Sequence, residues 1–216
     1  MSMQKTLLEK LNWRYAVKKF DSTKKIKDSD WKILEESLRL APSSYGLQPW
    51  QFWIVQNPKV REELKAASWN QSQVTDCSHF VVLVYKPKMD EAHIQKYLQK
   101  IASVRGVSLE SMSGYKLGMV NDLIKGPRAE VISHWAEKQT YIAMGMLMES
   151  AALLDIDTCP LEGLVPAEYN KILKLENTGW NAVAAVACGY RSADDKFQHN
   201  AKVRFDHNEV FKYILE

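Results

Sequence analysis

One segment of this chain is apolar on every face of the helix that its sequence predicts. The pattern from Val131 to Leu154 indicates a single long helix, and its stretch Tyr141–Met148 has no polar face. Such a helix must be buried all round, and a subunit of 216 residues can seldom surround one. Since Gly145 would let a second helix approach closely, we expect burial between two copies in a homodimer. A methionine-rich cofactor pocket is the alternative interpretation.

Three short apolar runs predict β-strands, and helices are predicted between them. The runs are Gln51–Val55, His79–Tyr85 and Asn181–Tyr190. The second and third are apolar at consecutive positions, which is typical of strands covered on both faces. Helices are predicted over residues 4–13 and from an N-cap at Asp28 or Ser29 to about Leu40. This order predicts a mixed, layered fold with helices around a central sheet.

Charge and cysteine content narrow the possible partners and compartment. The formal net charge is only +3, from 29 basic and 26 acidic residues, which favours neither a nucleic-acid nor a membrane partner. Three cysteines without a zinc spacing, and an N-terminus without a signal-peptide pattern, predict a cytoplasmic protein. No linker or repeat divides the chain, so we expect one domain over residues 1–216, with a polar helical excursion at about residues 91–125.

The sequence lacks the motifs of several common enzyme classes. Its five histidines include no HExxH spacing, and no GxSxG, P-loop or GxGxxG pattern occurs. These absences argue against a zinc enzyme, a serine hydrolase, a kinase and a Rossmann dehydrogenase. His79, which opens an apolar strand, is interpreted as a core residue rather than a catalytic base.

Two segments carry residues suited to a polar, charged ligand. In Arg14–Phe20, the guanidinium of Arg14 and the ammonium of Lys18 could bind an anion, although basic pairs more often form a solvated face. In Pro42–Trp50, two hydroxyls, an amide and glycine backbone could satisfy the edge of a polar heterocycle. A rigid loop between a helix and a strand is the alternative for the second segment.

Two further segments offer amides and main-chain donors. Asn70–Gln73 precedes a predicted strand, and amide side chains can donate and accept hydrogen bonds together. In Cys159–Gly163, Pro160 and Gly163 predict a turn that exposes backbone N–H groups. Such donors can tune a cofactor without side-chain chemistry.

Taken in order, these segments resemble the FMN-dependent nitroreductase family. The resemblance rests on RYAVKKF, PSSYGLQPWQF, DCSHFVVLVY, the PLEG turn and the late Lys202-Val-Arg204, and it spans about residues 10–206. It implies an α+β fold in which helices wrap a central, mostly antiparallel sheet. It also implies an intertwined homodimer with two FMN sites at the subunit interface.

The resemblance also implies a role for particular residues. Arg14, Lys202 and Arg204 would hold the FMN phosphate, with Tyr15 and Ala16 beside them. Lys18 would reach the pyrimidine side of the flavin ring, Asn70 its polar edge together with Gln73, and the Glu162 backbone N–H would face the flavin N5. Two groups complete the site: Pro160, Leu161, Glu162 and Gly163 over one flavin face, and Pro42, Ser43, Ser44, Tyr45 and Gly46 from the other subunit.

The implied activity is ping-pong reduction of nitroaromatics, quinones or related acceptors by NADH or NADPH. Lys18, Asn70 and Arg105 are the candidate substrate-binding residues, and Arg105 is proposed for a nucleotide phosphate or an acidic substrate. The alternatives are a specialised flavin or pteridine reductase, a dehydrogenase of the same superfamily, or a flavin-binding protein with little turnover. Two positions depart from many relatives: Ala16 lacks a hydroxyl, and Gln73 lacks a basic group.

Overall fold

The structure is a computed structural model that describes residues 3–215. These residues form nine α-helices and four strands. The helices are α1 Met3–Trp13, α2 Asp28–Arg39, α3 Pro58–Ala66, α4 Gln73–Asp76, α5 Glu91–Arg105, α6 Ser113–Val120, α7 Ile132–Leu153, α8 Pro166–Ile172 and α9 His207–Val210. The strands are β1 Trp50–Val55, β2 His79–Tyr85, β3 Asp157–Leu161 and β4 Asn181–Gly189.

The strands form one sheet in the order β1-β2-β4-β3, and every neighbouring pair is antiparallel. The predicted central, mostly antiparallel sheet is therefore confirmed. The central strands β2 and β4 are buried along nearly their whole length, as their consecutive apolar residues predict. The predicted bounds of β2 are confirmed, while β1 begins one residue earlier and β4 ends one residue earlier than predicted.

Strand β3 is not predicted by the sequence pattern, because Pro160 lies within it. Proline has no N–H to donate to a ladder and is tolerated only where that group would face away from a neighbouring strand. β3 is an edge strand, and Pro160 pairs with Val186 of β4. The predicted turn at Cys159–Gly163 is thus wrong in its first half, because Cys159–Leu161 is extended.

The N-cap of helix α2 is Lys27, whereas the sequence predicts Asp28 or Ser29 at that position. Lys27 makes no side-chain cap hydrogen bond. Asp28 and Asp30 instead lie within the first turn, where negative charge is favoured by the helix dipole. The acidic residues therefore mark the start of the helix without capping it.

The sheet is covered on both faces, and α7 packs on one of them with α2. Its buried residues include Ala143, Leu147 and Ala151, which share a core cluster with β2 and β4. The opposite face of α7 leaves Ile142, Gly145 and neighbouring residues exposed within one subunit. Helices α5 and α6, in the predicted polar excursion, enclose a separate apolar cluster. Among the helices of residues 3–215, none is long and apolar enough to cross a membrane.

Arg61 of α3 is a buried cation that joins three parts of the core. Its side chain is only 6% exposed and donates to the carbonyl oxygens of Val55, Cys77 and Ser78 at 2.7, 2.8 and 3.0 Å. It also donates to Gln56 Oε1 at 2.8 Å. The guanidinium therefore ties the end of β1 to the end of α4 and the start of β2.

Arg61→Met should destabilise the fold by about 2–4 kcal/mol, because it leaves buried carbonyl groups without donors. Urea unfolding followed by tryptophan fluorescence measures the loss. Lys59→Met on the exposed side of the same helix is the matched control and should change the free energy of unfolding by less than about 0.5 kcal/mol. Equal effects of the two substitutions would contradict the assigned role of Arg61.

Candidate functional site

Three cations meet in an open cleft between the end of α1 and the C-terminal segment. Arg14, Lys202 and Arg204 line this cleft, which has a volume of about 520 Å³. The Lys202 ammonium donates to the carbonyl oxygen of Arg14. Burial lowers the pKa of Arg14, and the charge of Arg204 lowers it further. Burial, Arg14 and Arg204 likewise lower the pKa of Lys202. The cluster therefore favours binding of an anion, which would relieve this repulsion.

Arg14 also has an unused donor. Its Nε is buried and makes no hydrogen bond within the part of the chain that the structure describes. A buried N–H of a charged group without an acceptor costs free energy, and an anionic oxygen would remove that cost. The residues of the cleft thus fit a phosphate group.

Arg191 positions the residues on both sides of Arg14. Its guanidinium carbon lies 4.1 Å from the ring centre of Trp13 and 4.6 Å from that of Tyr15. Arg191 also forms a bidentate ion pair with the buried Asp157 at the start of β3, with Nε 3.0 Å from Oδ2 and Nη2 2.5 Å from Oδ1. Neither Arg191 nor Asp157 belongs to a sequence motif, so both were missed.

The segment after Arg14 runs beside β3. Ala16 forms a parallel bridge with Thr158, and the Val17 N–H donates to the Thr158 carbonyl at 3.2 Å. Lys18 is exposed, and its positive charge lowers the pKa of the buried Cys159 thiol of β3. Burial nevertheless raises the pKa of this thiol. The N-terminal segment and the Pro160–Gly163 segment are therefore neighbours.

The turn that follows β3 is fixed by its packing. Gly163 accepts a hydrogen bond from Gln71 Nε2 at 2.9 Å. A Cβ at position 163 would lie 2.8 Å from two ring carbons of Trp69, so a side chain there would displace the exposed indole. The exposed Glu162 carboxylate accepts from the Tyr141 hydroxyl of α7. Leu161 is buried in the core.

Trp69 and Asn70 precede this contact in a strained conformation. Both have positive φ angles, 54° and 55°, which is rare for consecutive residues other than glycine. Trp69 is 75% exposed although it is large and apolar. Strain and exposure of this kind cluster at binding sites. Gln73 differs from Asn70, because it is buried and its side chain lowers the pKa of the Cys159 thiol.

The Pro42–Gly46 loop lies against different neighbours. The Ser44 N–H donates to Gln139 Oε1 of α7 at 2.8 Å, and the Tyr45 hydroxyl donates to Asp122 Oδ2 at 2.8 Å. A Cβ at Gly46, whose φ is +71°, would lie 2.2 Å from the Tyr97 hydroxyl of α5. The loop is therefore held by α7 and by the predicted excursion.

Arg105 belongs with this loop. Burial raises the pKa of Tyr115, and the positive charge of Arg105 partly offsets this by lowering it. The Tyr115 hydroxyl in turn donates to the Tyr45 carbonyl oxygen at 2.7 Å. Within residues 3–215, no hydrogen bond joins the Pro42–Gly46 loop to the cation cleft or to the turn at Glu162. One subunit thus brings the predicted residues together in two groups, one around Arg14 and one around Tyr45.

The Nitroreductase family model matches residues 11–190 of this chain. A protein described as a candidate NAD(P)H nitroreductase of Bacillus subtilis (strain 168) is 35% identical over 218 residues, which cover 96% of this chain and 97% of the relative. The family model therefore includes Arg14 and the Pro42–Gly46 loop, whereas Lys202 and Arg204 lie beyond its last matched residue.

Solved structures have the same architecture at lower sequence identity. A nitroreductase-like protein from Streptococcus mutans is 19% identical, with a TM-score of 0.81, and covers 98% of this chain and 100% of its own. A structure described as a candidate nitroreductase in complex with FMN, from Exiguobacterium sibiricum, is 19% identical with a TM-score of 0.78 and covers 96% and 97%. At this identity the likeness establishes the fold alone.

Proposed function

This chain belongs to the nitroreductase family, and on that premise we propose that it is an FMN-dependent oxidoreductase that uses NADH or NADPH. The acceptors would be nitroaromatics, quinones or related compounds. The observation that carries the proposal is the cleft of Arg14, Lys202 and Arg204, in which a buried Arg14 Nε has no partner. A relative at 35% identity carries an NAD(P)H nitroreductase description, and a protein of the same fold binds FMN.

The residues of the first group would hold FMN along its length. Arg14, Lys202 and Arg204 would bind the phosphate, while Lys18 and Asn70 would contact the polar edge of the ring. The backbone N–H of Glu162 would face N5, and the turn would keep its shape through the packing of Gly163 on Trp69. Bound FMN would supply hydride transfer, taking two electrons from NADH or NADPH and delivering them to the acceptor.

The chain's own part in turnover is to bind, orient and leave one face open. Glu162 is fixed by the Tyr141 hydroxyl on one side and by the Gly163–Gln71 contact on the other. Because Pro160–Gly163 would cover one flavin face, donor and acceptor would use the other face in succession, which is the requirement of ping-pong turnover. Lys18 would stabilise negative charge that develops at the pyrimidine side of the ring.

A homodimer is supported by apolar surface that one subunit leaves uncovered. Helix α1 has no fully buried residue, and Leu8 on it is 62% exposed. The C-terminal segment, residues 200–215, exposes Phe205 and Ile214 to 80% and 91%. The exposed face of α7 around Ile142 adds a third element with large apolar side chains in contact with solvent. A second copy of the chain would bury this apolar surface.

The second copy would also complete the site. The Pro42–Gly46 loop does not bond to the cation cleft of its own subunit, so we assign it to the flavin bound by the partner. Arg105, close to Tyr115 and the same loop, would then meet the nicotinamide nucleotide or an acidic acceptor beside that flavin. The free thiols of Cys77, Cys159 and Cys188 are compatible with the cytoplasm as the compartment.

Anaerobic titration of the FMN-loaded protein with NADH and then NADPH tests the proposal. We expect the yellow absorbance to bleach and to return when a nitroaromatic or quinone is added. Bound FMN that neither donor bleaches would instead support a flavin-binding protein with little turnover. Recovery with free flavin or a pteridine, but not with nitro compounds or quinones, would support a specialised reductase. Failure to bind FMN would overturn the proposal.

Arg204→Ala should weaken FMN binding more than about tenfold, because it removes one charged donor to the phosphate. Fluorescence titration of flavin-free protein with FMN gives the dissociation constant. Lys196→Ala removes another exposed cation, which lies eight residues earlier in the chain and outside the cleft lining, and should leave the constant unchanged. An unchanged affinity of Arg204→Ala would exclude Arg204 from the phosphate site.

A further inference from the structure

Asp195 is a buried carboxylate that no motif and no part of the proposed chemistry explains. It is only 2% exposed. Its Oδ2 accepts from the Tyr15 hydroxyl at 3.0 Å and from the backbone N–H groups of Lys18 and Lys19 at 2.7 and 3.1 Å. Its Oδ1 accepts from the Phe197 N–H at 3.0 Å. A buried charge is tolerated because donors satisfy it from two sides.

Three of these donors belong to the segment that follows Arg14, of which Tyr15 itself lines the cation cleft. Tyr15, Lys18 and Lys19 follow Arg14, whereas Asp195 itself precedes Lys202 in the chain. Arg14 and Lys202 are 188 residues apart in the sequence, and their direct contact is a single hydrogen bond from an ammonium to a carbonyl. Asp195 adds hydrogen bonds from Tyr15, Lys18 and Lys19 between the same two stretches of chain.

A connection is needed because the cleft holds like charges. Besides burial, the charge of Arg204 lowers the pKa of Arg14, and the charges of Arg14 and Arg204 lower the pKa of Lys202, as expected for repulsion between like charges. Burial alone would raise the pKa of Asp195, yet its hydrogen bonds from Lys18, Lys19, Phe197 and Tyr15 hold that pKa below its ordinary value. Asp195 therefore stays ionised near neutral pH and keeps accepting from all of its donors.

We infer that Asp195 is a positioning residue that holds Arg14 in register with Lys202 and Arg204 before the phosphate arrives. The inference rests on the proposed function for the identity of the ligand. It assigns no contact between Asp195 and FMN: Asp195 acts through the backbone of the Lys18–Lys19 segment. A cleft assembled in advance spares the ligand the cost of ordering two distant segments.

Asp195→Asn tests the inference, because an amide keeps the shape but turns one acceptor into a donor. We expect the affinity for FMN to fall about tenfold or more, and the affinity for riboflavin, which lacks the phosphate, to fall much less. A loss of purely structural origin would weaken both ligands alike. An unchanged ratio of FMN to riboflavin affinity would therefore overturn the inference.

Two more variants serve as controls that distinguish a local effect from loss of folding. Asp194→Asn alters the neighbouring carboxylate, which is exposed and pairs with Lys19 Nζ at 3.0 Å, and should change neither affinity. Tyr15→Phe removes only one of the hydrogen bonds to Asp195 and should lower FMN affinity by a smaller factor in a protein that still folds.

Hydrogen exchange in the flavin-free protein provides a readout that does not depend on FMN. The amides of Lys18 and Lys19 should exchange about tenfold faster in Asp195→Asn than in Asp194→Asn, because they lose their acceptor. Equal exchange rates would overturn the positioning role. If the wild-type protein binds no FMN, the proposed function is overturned. If Asp195→Asn and Asp194→Asn still differ in amide exchange in that case, the positioning role remains supported.

Discussion

Alanine in place of Arg14 should weaken FMN binding about a hundredfold, because a half-buried guanidinium gives charge-assisted hydrogen bonds of about 1.5–3 kcal/mol to a phosphate. The loss should exceed that of Arg204→Ala, since Arg14 lies deeper in the cleft and has a buried Nε without a partner in the described part of the chain. Fluorescence titration with FMN measures the effect. Arg14→Lys should recover only part of the affinity, because an ammonium lacks the planar fork of the guanidinium.

The flavin-free protein provides the control for this substitution. Arg14 is repelled by Arg204, so its removal should leave the thermal midpoint of the flavin-free form unchanged or raised. Lys24→Ala removes an exposed cation that pairs with Asp21 at 3.3 Å and should affect neither FMN affinity nor the thermal midpoint. A large drop in the midpoint of Arg14→Ala would identify Arg14 as a structural residue instead.

A chain that ends at His199 should be monomeric and should bind no FMN. It loses Lys202 and Arg204 from the cleft, and with them the exposed apolar residues between Val203 and Leu215. Analytical ultracentrifugation gives the mass, and FMN titration gives the affinity. A dimer of the shortened chain would mean that α1 and α7 suffice for association.

The double variant Lys202→Ala/Arg204→Ala separates the two roles of the C-terminal segment. It keeps the apolar residues and removes the charges, so we expect a dimer that does not retain FMN. A monomeric double variant would show that the cations, and not the apolar side chains, hold the subunits together.

The elements that could be predicted from the sequence are those with a local signal. The bounds of β2 and the long helix α7 follow from runs of apolar residues, and both are confirmed within one residue at each end. β3 could not be predicted, because a proline is acceptable there only at the edge of a sheet, and the position of a strand in a sheet is not a local property. Which face of α7 is exposed is likewise not a local property, because it depends on which elements pack against the helix.

The candidate site divides in the same way. Arg14, Lys18 and the Glu162–Gly163 turn stand in short segments that resemble a family pattern, so the sequence alone identifies them as candidates. Asp157, Asp195 and Arg191 act across the fold, and no spacing in the sequence links them to the residues that they hold. The role of the Pro42–Gly46 loop at a partner's flavin stays a prediction.

The contact between Arg14 and Lys202 has a consequence for biosynthesis. The two residues are 188 positions apart, and Asp195 lies close to the later one. A ribosome adds about 5–20 residues per second, so the phosphate cleft stays incomplete for about 10–40 seconds after Arg14 has been polymerised. Binding of FMN through all three cations would therefore follow the synthesis of Lys202 and Arg204, and a yellow protein would report that translation had passed Arg204.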